Sequence, residues 1–487
     1  MYIGIDLGTT SVKLILIDAK GKLIKTVSRS YELLMPHSMW TEQNPIDWYN
    51  STIDGLKEIV AGNEANIKAI SFSGQMHGMV VLDKFEEIIR PAILWNDQRT
   101  VAEVKYLNEN VSIKKLQEET GNIALTGLTA PKVLWLRNNE PKNFEKISKI
   151  MLPKDYLAYK LSAVFATDVS DVSGTLYFDV KRKKYSKYML ELLGINELQL
   201  PRVFESYEVI GNLKTELQDL LGLGPNVDIV IGGGDQAVGA VGIGTVGDGK
   251  CSISLGTSGV VYVASKNFAI DTQSHMQSYA DATGNYHMMG VMLNAAGSLK
   301  WWNESVFNNQ NYDEFFQRLS KTPIDDSIYF LPYLSGERSP INDSNAQGMF
   351  IGLKAEHKKE HMDRALIEGV TFALKQSFDL IRKLGVQIDT IRITGGGAKN
   401  PIWAQMIADI MDVNVETIHV DEGPAFGAAI LAMVGNGVFS TVEEACKQLV
   451  KGDKIYIPNL EFTEIYEKKY IKFVKLYPTV KKIFKEE

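Results

Sequence analysis

A short turn near the start of the chain carries residue types that could hold a phosphate. In the stretch YIGIDLGTTSVKLILID, the tetrapeptide Gly8-Thr9-Thr10-Ser11 separates two apolar runs. Small residues leave backbone N–H groups free to donate hydrogen bonds, and the hydroxyls add further donors. Asp6 at the mouth of the turn would repel a bare phosphate unless a cation lay between them, and its oxygen atoms suit Mg²⁺. The turn therefore predicts a phosphate with a metal ion, and a turn-capping role for Asp6 is the alternative.

The same turn recurs about half a chain later. In KCSISLGTSGVVYVAS, the residues Gly256, Thr257 and Ser258 again follow a short apolar run and precede another. The repeat predicts two α/β halves that face each other across a cleft and hold one polyphosphate from both sides. Either turn alone is equally consistent with an ordinary hairpin.

A third glycine-rich turn lies near residue 395. The stretch TIRITGGGAKNPIWAQ predicts a strand, then Gly395, Gly396 and Gly397, then a helix that begins at Asn400-Pro401. Three residues without Cβ atoms let a bulky group approach the backbone closely. After two phosphate turns, this order indicates the nucleoside end of ATP.

Asp235 is the residue that we expect to act as a general base. It follows the apolar run 229–231 and three glycines, so its side chain can reach a cleft at the end of a strand. Phosphoryl transfer needs a group that receives the proton of the acceptor hydroxyl, and a carboxylate suffices because the proton moves late. Gln236 could fix a hydroxyl of the acceptor beside it, or could make an ordinary hydrogen bond at a helix start.

For binding a hydroxylated ligand the sequence offers His77 in SGQMHGMVVLD. A neutral imidazole can donate to one hydroxyl and accept from another, although a lone histidine is more often structural. Met76 would present its backbone or a soft wall to a ligand. The following segment ILWNDQRT could line the same pocket, or its Asp97 and Arg99 could form an internal ion pair.

Lys13 keeps two interpretations, and a pair of adjacent charged residues has a purely structural one. Lys13 could add a charge-assisted contact to a phosphate, or could be a solvated strand lysine. In LPYLSGERSP, Glu337 and Arg338 could simply pair with each other.

The elements that must position these residues follow an α/β pattern. Hydrophobic periodicity predicts strands at 2–7, 12–18, 23–30 and 67–72 and a helix at 45–60. The glycine-rich segment 241–249 is the natural boundary, which gives an N-terminal domain of residues 1–243 and a C-terminal domain of residues 244–487.

Composition limits the classes of partner. The chain has 487 residues, of which 45% are apolar, and a formal net charge of −7, so it can form two cores. Lys and Arg are interspersed with Asp and Glu and form no basic stripe, which argues against nucleic-acid binding. Cys251 and Cys446 match no disulfide or zinc pattern, which favours a reducing compartment. Because the start is not leader-like and no apolar run is long enough to span a membrane, we expect a cytoplasmic protein without membrane attachment.

Several stretches together resemble the FGGY carbohydrate kinase family, within the actin-like ATPase superfamily, over essentially the whole chain. They are DLGTTSVK, WTEQNP, SGQMHGMVVLD, ILWNDQRT, GLTAPKVLWLRNNEP, GGGDQAVGAVG, SLGTSG, LPYLSGERSP and GLKAEHKKEHMDRALIEG. The resemblance implies an α/β fold of two ribonuclease-H-like domains that face each other across a catalytic cleft. The N-terminal domain would carry the sugar site and the first phosphate turn, and the C-terminal domain would bind the nucleotide.

The resemblance also implies roles for individual residues. Asp235 matches the catalytic aspartate of the family, and Met76, His77, Asp235 and Gln236 would bind the sugar. Mg²⁺ would be held by Asp6 and Asp235. ATP would be bound by Gly8, Thr9, Thr10, Ser11, Lys13, Gly256, Thr257, Ser258, Gly395, Gly396, Gly397 and Asn400.

Within the family, the QMHG, WND and GDQ segments are most similar to members that phosphorylate D-xylulose at its terminal hydroxyl in xylose catabolism. A kinase for another ketopentose or a polyol, such as ribulose or glycerol, is the nearest alternative. A non-catalytic nucleotide switch, like actin or a chaperone of the superfamily, is the alternative from another class. The family also makes a homodimer possible.

Overall fold

Two mixed β-sheets organise the computed structural model, which describes residues 1–273, 275–418 and 423–484. In the first sheet, Tyr2–Leu7 pairs antiparallel with Ser11–Ile17 and parallel with Ala69–Gly74. Helices cover both faces, so the strand Tyr2–Leu7 is almost wholly buried. The strands in spatial order are Val209–Asn212, Asp228–Val230, Ala69–Gly74, Tyr2–Leu7, Ser11–Ile17 and Leu23–Ser30, and Gly233–Gly234 also pairs with Ala69–Gly74.

The second sheet repeats this arrangement. Cys251–Leu255 pairs antiparallel with Gly259–Ser265 and parallel with Thr390–Thr394. The two glycine-threonine turns therefore connect equivalent strands of the two sheets, in agreement with the sequence repeat. The strands in spatial order are Gln277–Ala280, Tyr286–Met292, Gly259–Ser265, Cys251–Leu255, Thr390–Thr394, Asn414–Ile418 and Gly452–Tyr456.

The elements predicted for the first half are confirmed with small shifts. The strand predicted at 12–18 is Ser11–Ile17, and the strand predicted at 67–72 is Ala69–Gly74. The latter extends further because Ser73 and Gly74 continue the ladder with the first strand. The predicted bounds of Tyr2–Leu7, Leu23–Ser30 and Pro45–Val60 agree with the structure.

Helices flank the sheets and connect their strands. Those of ten residues or more are Pro45–Val60, Thr129–Asn139, Pro153–Ser162, Tyr312–Lys321, Lys359–Lys383, Pro401–Met411, Gly423–Gly435 and Leu460–Val480. Shorter α-helices are Val101–Tyr106, Ile113–Thr120, Pro141–Phe144, Val169–Val172, Lys187–Leu193, Thr215–Leu221, Asp235–Gly242, Ala296–Lys300 and Val442–Leu449. Short strand pairs outside the sheets join Glu42–Gln43 to Ala92–Ile93, Val80–Leu82 to Lys149–Met151, Ala166–Asp168 to Arg202–Phe204, Phe178–Asp179 to Lys184–Tyr185, and Tyr329–Leu331 to Met349–Ile351.

Two glycine-rich helices cross at close range between the halves. A Cβ atom added to Gly242 or to Gly427 would lie within 2 Å of a backbone carbonyl oxygen of the other helix, at 1.8 and 1.9 Å respectively. Gly423–Gly435 also packs on the strand Tyr2–Leu7 of the first sheet. A helix from the second half of the chain therefore covers the first sheet, and it fixes the helix Asp235–Gly242.

Each sheet has its own apolar core. Trp48 and Phe72 are fully buried beneath the first sheet, and Trp403 and Phe378 beneath the second. Along the chain, the last strand of the first sheet ends at Gly234 and the first strand of the second sheet begins at Cys251. None of the helices in the described ranges combines the length and apolar character that a membrane span requires.

Candidate active site

Asp235 is the first residue of the helix Asp235–Gly242 and lines a cavity of about 850 Å³. The turn before it requires glycine, since Gly232 has a φ of 70° and a Cβ atom there would lie 1.9 Å from the Phe72 carbonyl oxygen. The Gly234 N–H donates to Ser170 Oγ at 3.1 Å. These contacts fix the backbone that carries the Asp235 carboxylate to the cavity.

The negative charge of Asp6 acts on the carboxyl group of Asp235. Burial raises the pKa of Asp235 to about 7, and the negative charge of Asp6 adds to the rise, whereas hydrogen bonds of Gln236 oppose it. Burial also raises the pKa of Asp6 to about 6, against the opposing effects of the nearby Ser73 hydroxyl and the charge of Lys13. Two partly buried carboxylates with raised pKa values would both be stabilised by a cation between them.

The first glycine-threonine turn is braced by side chains that the sequence analysis did not single out. Within the turn, the Gly8 N–H donates to the Ser11 carbonyl at 3.0 Å. Gln43 Nε2 donates to the Thr9 carbonyl at 2.7 Å, and the Tyr31 hydroxyl donates to the Gly8 carbonyl. Gln43 belongs to the quoted WTEQNP stretch, but its partner lies 34 positions away, so local sequence gave no signal for the contact. Thr10 stays exposed at the tip of the turn.

The ILWNDQRT segment packs against the first glycine-threonine turn, and its charged side chains pair with each other. Trp95 Nε1 donates to Thr9 Oγ1 at 3.0 Å, so its indole lies against the turn. Asp97 and Arg99 form a buried, two-point ion pair with N···O distances of 2.9 and 2.8 Å, and the guanidinium lies 3.9 Å from the Trp40 ring centre. The internal ion pair, one of the two interpretations, is therefore confirmed.

His77 is held in a defined orientation. Its Nδ1 lies 2.8 Å from the Gly174 carbonyl oxygen, so Nδ1 carries the proton and Nε2 is an acceptor. Burial, together with the charges of Lys132 and Arg338, lowers the pKa of His77 to about 3, so the ring is neutral. Lys132 Nζ also donates to the His77 carbonyl at 2.7 Å. Of the donor and acceptor roles expected for His77, only the acceptor role stays available to a ligand.

Met76 connects His77 to the turn before Asp235. A Cβ atom on Gly234 would lie 2.9 Å from Met76 Cγ, and one on Gly174 would lie 3.2 Å from Met76 Cε. The thioether therefore packs between these two glycines. The structure brings Met76, His77 and Asp235, which are distant in sequence, into one region.

A buried charge cluster underlies the same region and was missed from the sequence. Lys154 Nζ contacts Asp155 Oδ1 at 2.6 Å and Asp168 Oδ1 at 2.9 Å, and all three side chains are almost fully buried. Asp168 accepts hydrogen bonds from the backbone N–H and hydroxyl of Ser170, whose Oγ also holds the Gly234 N–H. The cluster thus supports the turn that leads to Asp235.

The cavity that Asp235 lines extends to the third glycine-rich turn. Gly395 and Gly396 lie on its other side, and Gln236 lies beside Asp235, with Nε2 3.4 Å from a carboxylate oxygen. Gly395 has a φ of 87°, which favours glycine. The cavity thus extends from Asp235 to the carboxyl end of the strand Thr390–Thr394 in the second sheet.

An adjoining cavity of about 510 Å³ contains the second glycine-threonine turn. Gly256, Thr257, Gly397 and Asn400 line it. Asn400 Oδ1 caps the helix Pro401–Met411 by accepting the Ile402 and Trp403 N–H groups, which leaves its amide N–H groups for a ligand. The aromatic side chains of Tyr312 and Phe316 also line this cavity and were not predicted, and Ser258 lies exposed at the tip of its turn.

Family models match both halves of the chain. The model of the FGGY family of carbohydrate kinases, N-terminal domain, matches residues 1–242, and the model of the C-terminal domain matches residues 251–435. The chain belongs to the FGGY family of carbohydrate kinases.

Individual relatives are similar over nearly the whole chain. A xylulose kinase from Staphylococcus epidermidis is 36% identical over 99% of this chain and 97% of its own length. Among solved structures, a ligand-bound xylulose kinase from Lactobacillus acidophilus has a TM-score of 0.95 and 27% identity, and covers 99% of this chain and 98% of its own. A gluconate kinase from the same organism has a TM-score of 0.94 and 27% identity, with coverage of 98% and 97%.

These similarities confirm the predicted family and the actin-like ATPase fold. As a member of this family the chain is an ATP-dependent sugar kinase. The alternative of a non-catalytic nucleotide switch is therefore excluded.

Proposed function

We propose that this FGGY kinase transfers the γ-phosphate of ATP to the terminal hydroxyl of D-xylulose and forms D-xylulose 5-phosphate. The observation that carries the proposal is the convergence of Met76, His77 and Asp235 in one region, in a chain whose full-length relatives are named xylulose kinases. The ketopentose would lie between His77 and Asp235. Phosphorylation of another ketopentose or a polyol would use the same general base and the same phosphate turns, so the choice of sugar depends on the shape of this region.

Asp235 is the general base of the proposed reaction. Its raised pKa places it near the pH at which a carboxylate can accept a proton as the bond to phosphorus forms. Gln236 would hold a sugar hydroxyl next to it, and His77 Nε2 would accept a hydrogen bond from another hydroxyl. Met76 would form an apolar wall, because its thioether packs on Gly234.

The two glycine-threonine turns would hold the phosphates of ATP from opposite sides. Gly8, Thr9, Thr10 and Ser11 of the first turn and Gly256, Thr257 and Ser258 of the second are the proposed contacts. Lys13, which pairs with Asp6 across the first hairpin, would add a positive charge. The nucleoside would lie against Gly395, Gly396, Gly397 and Asn400, which line the two adjoining cavities.

Asp6 and Asp235 would hold Mg²⁺ together with phosphate oxygens. The fit rests on their raised pKa values, since an adjacent cation would relieve the cost of ionising both carboxylates. The ion would neutralise charge on the phosphates of ATP. The family also makes a homodimer a reasonable expectation, although no residue discussed above depends on one.

Product analysis tests this proposal. The purified chain, incubated with D-xylulose, ATP and Mg²⁺, should yield one phosphate monoester whose ³¹P signal couples to the two protons of C5. A phosphate on another carbon, or no sugar phosphate, would contradict it. Without ATP, no ester should form.

A further inference from the structure

The sugar region of the first half offers acceptors but few donors. His77 Nε2 can only accept, because Nδ1–H is engaged by the Gly174 carbonyl. An ionised Asp235 also accepts only, and the Gln236 amide is directed at the Asp235 carboxylate. The carbonyl oxygen of an open-chain ketose has no proton, so it needs a donor from another element.

Tyr279 is a buried donor next to His77. It lies on Gln277–Ala280, the edge strand of the second sheet, and its side chain is 1% exposed. Its ring centre lies 6.4 Å from that of His77, and within the described part of the chain its hydroxyl has no hydrogen-bond partner. A buried hydroxyl without a partner is unfavourable, so this one needs a partner from water or a ligand, and its place beside His77 favours the sugar.

The edge strand is fixed to the turn that holds His77. The Ala280 N–H donates to Ser173 Oγ at 3.1 Å, and Ser173 belongs to the turn Ser173–Thr175, which also contains Gly174. Asn122 and Ser278 exchange two further hydrogen bonds, of 2.8 and 3.0 Å. The second half of the chain therefore contacts the sugar region directly.

Arg338 brings a second donor to the same place. Glu337 Oε1 accepts the backbone N–H groups of Leu293 and Arg338, both at 2.8 Å. The expected side-chain pair of Glu337 and Arg338 is not formed, and in residues 1–273, 275–418 and 423–484 the guanidinium has no carboxylate within 4.0 Å. Arg338 lines a small cavity together with Gln277, which lies two residues before Tyr279 on the edge strand. The charge of Arg338 also contributes to the lowered pKa of His77.

We propose that Tyr279 and Arg338, both from the second half of the chain, complete the sugar site by donating hydrogen bonds to the carbonyl oxygen of the ketose substrate. The inference rests on the proposed function and goes beyond it, because it names the residues that distinguish a ketose from a polyol. A polyol of the same length has a hydroxyl in place of the carbonyl. The polyol gains less from two donors at this position, because the proton of its own hydroxyl must also find an acceptor.

Steady-state kinetics with Tyr279→Phe and Arg338→Met test this proposal. Each variant should raise KM for D-xylulose about 10-fold or more with a smaller change in kcat, because a site built to donate to a carbonyl loses that contact. The Ki of xylitol as a competitor should change less than about threefold. Arg338→Lys should restore part of the affinity, since it keeps a charged donor.

Tyr333→Phe is the matched control. Tyr333 is also a fully buried tyrosine of the second half, but it packs against Tyr477, away from His77. It should leave KM for D-xylulose unchanged. Without sugar, Tyr279→Phe should melt at the same temperature as the wild type or higher, and D-xylulose should stabilise it less.

Each outcome has one meaning. Unchanged KM for D-xylulose in both variants would overturn the proposal, and so would equal losses for D-xylulose and xylitol, which would deny carbonyl recognition. A wild-type chain that fails to phosphorylate D-xylulose would instead contradict the proposed function.

Discussion

Asp235 lies at a helix N-terminus, which by itself lowers the pKa of a carboxyl group, yet the pKa of Asp235 is raised. A helix N-terminus stabilises an ionised carboxylate, yet burial and the charge of Asp6 raise the pKa of Asp235 to about 7. Desolvation therefore outweighs the helix dipole at this position. The consequence is a carboxylate that is basic enough to take part in proton transfer near neutral pH.

The pH dependence of kcat/KM tests this assignment. Because the base must be deprotonated, kcat/KM for D-xylulose, measured at limiting ATP and Mg²⁺ so that the metal-free enzyme titrates, should fall about tenfold per pH unit below about pH 7 and level off above it. Asp235→Asn should lower kcat about 10²- to 10⁴-fold. The exposed Asp219 provides the control, and Asp219→Asn should keep both the rate and the profile. A profile that is flat from pH 5.5 to 7.5 would be incompatible with Asp235 as the titrating base.

At the scale of elements, the turn Ser173–Thr175 sets the orientation of His77. A Cβ atom on Gly174 would lie 2.4 Å from His77 Cε1 and 2.5 Å from Nδ1. Gly174→Ala should therefore rotate the imidazole out of place and raise KM for D-xylulose about tenfold, with a smaller effect on kcat. Gly224→Ala is the control because no atom of the described part of the chain lies within 4 Å of its Cβ position, and it should behave like the wild type. Equal KM values for both variants would show that His77 does not bind the sugar.

The crossing of Asp235–Gly242 with Gly423–Gly435 is the second element-scale feature. A Cβ atom on Gly427 would meet the Val238 carbonyl oxygen at 1.9 Å, and backbone cannot move aside as a flexible side chain can. Gly427→Ala should lower the free energy of unfolding by about 1–3 kcal/mol or more, measured by urea denaturation. It should also lower kcat, because the helix that carries Asp235 is displaced.

Gly423→Ala, at the start of the same helix, is the matched control. Among the residues that the structure describes, no atom lies within 4 Å of its Cβ position, so the free energy of unfolding should stay near that of the wild type. If the Gly427 variant were as stable as this control, the helices would not be held together by their close approach.

Local patterns made some of these elements predictable. The turns at Gly8 and Gly256 could be predicted because small residues between two apolar strands indicate a turn from local sequence alone, and because the pattern occurs twice. The strand and glycines before Asp235 are likewise contiguous in sequence. The Asp97–Arg99 ion pair was one of two interpretations, and only its buried geometry decided between them.

Contacts between distant segments could not be predicted. The bond from His77 to Gly174 joins residues 97 positions apart, and the hydrogen bond from Ala280 to Ser173 joins residues 107 positions apart. The charge cluster around Lys154 also depends on packing, since TDVSDVS by itself is an unremarkable polar stretch. Such contacts carry no local sequence signal.

At the scale of the whole molecule, phosphate turns on two sheets require the halves to approach each other around ATP. The cavity of about 850 Å³ is lined by Asp235 on one side and by Gly396 on the other. Closure would exclude water and protect ATP from hydrolysis. D-xylulose with a non-hydrolysable ATP analogue should therefore reduce the radius of gyration in small-angle X-ray scattering. Identical curves with and without both ligands would contradict closure.

The most direct test of the central claim is ADP release by the purified chain with ATP and Mg²⁺. The acceptors compared should be D-xylulose, D-ribulose, L-ribulose, D-gluconate, glycerol and no sugar. The account predicts strong stimulation by D-xylulose above every other acceptor, and its loss in Asp235→Asn. A higher rate with another acceptor would contradict D-xylulose as the substrate, and equal ADP release without sugar would contradict a sugar kinase.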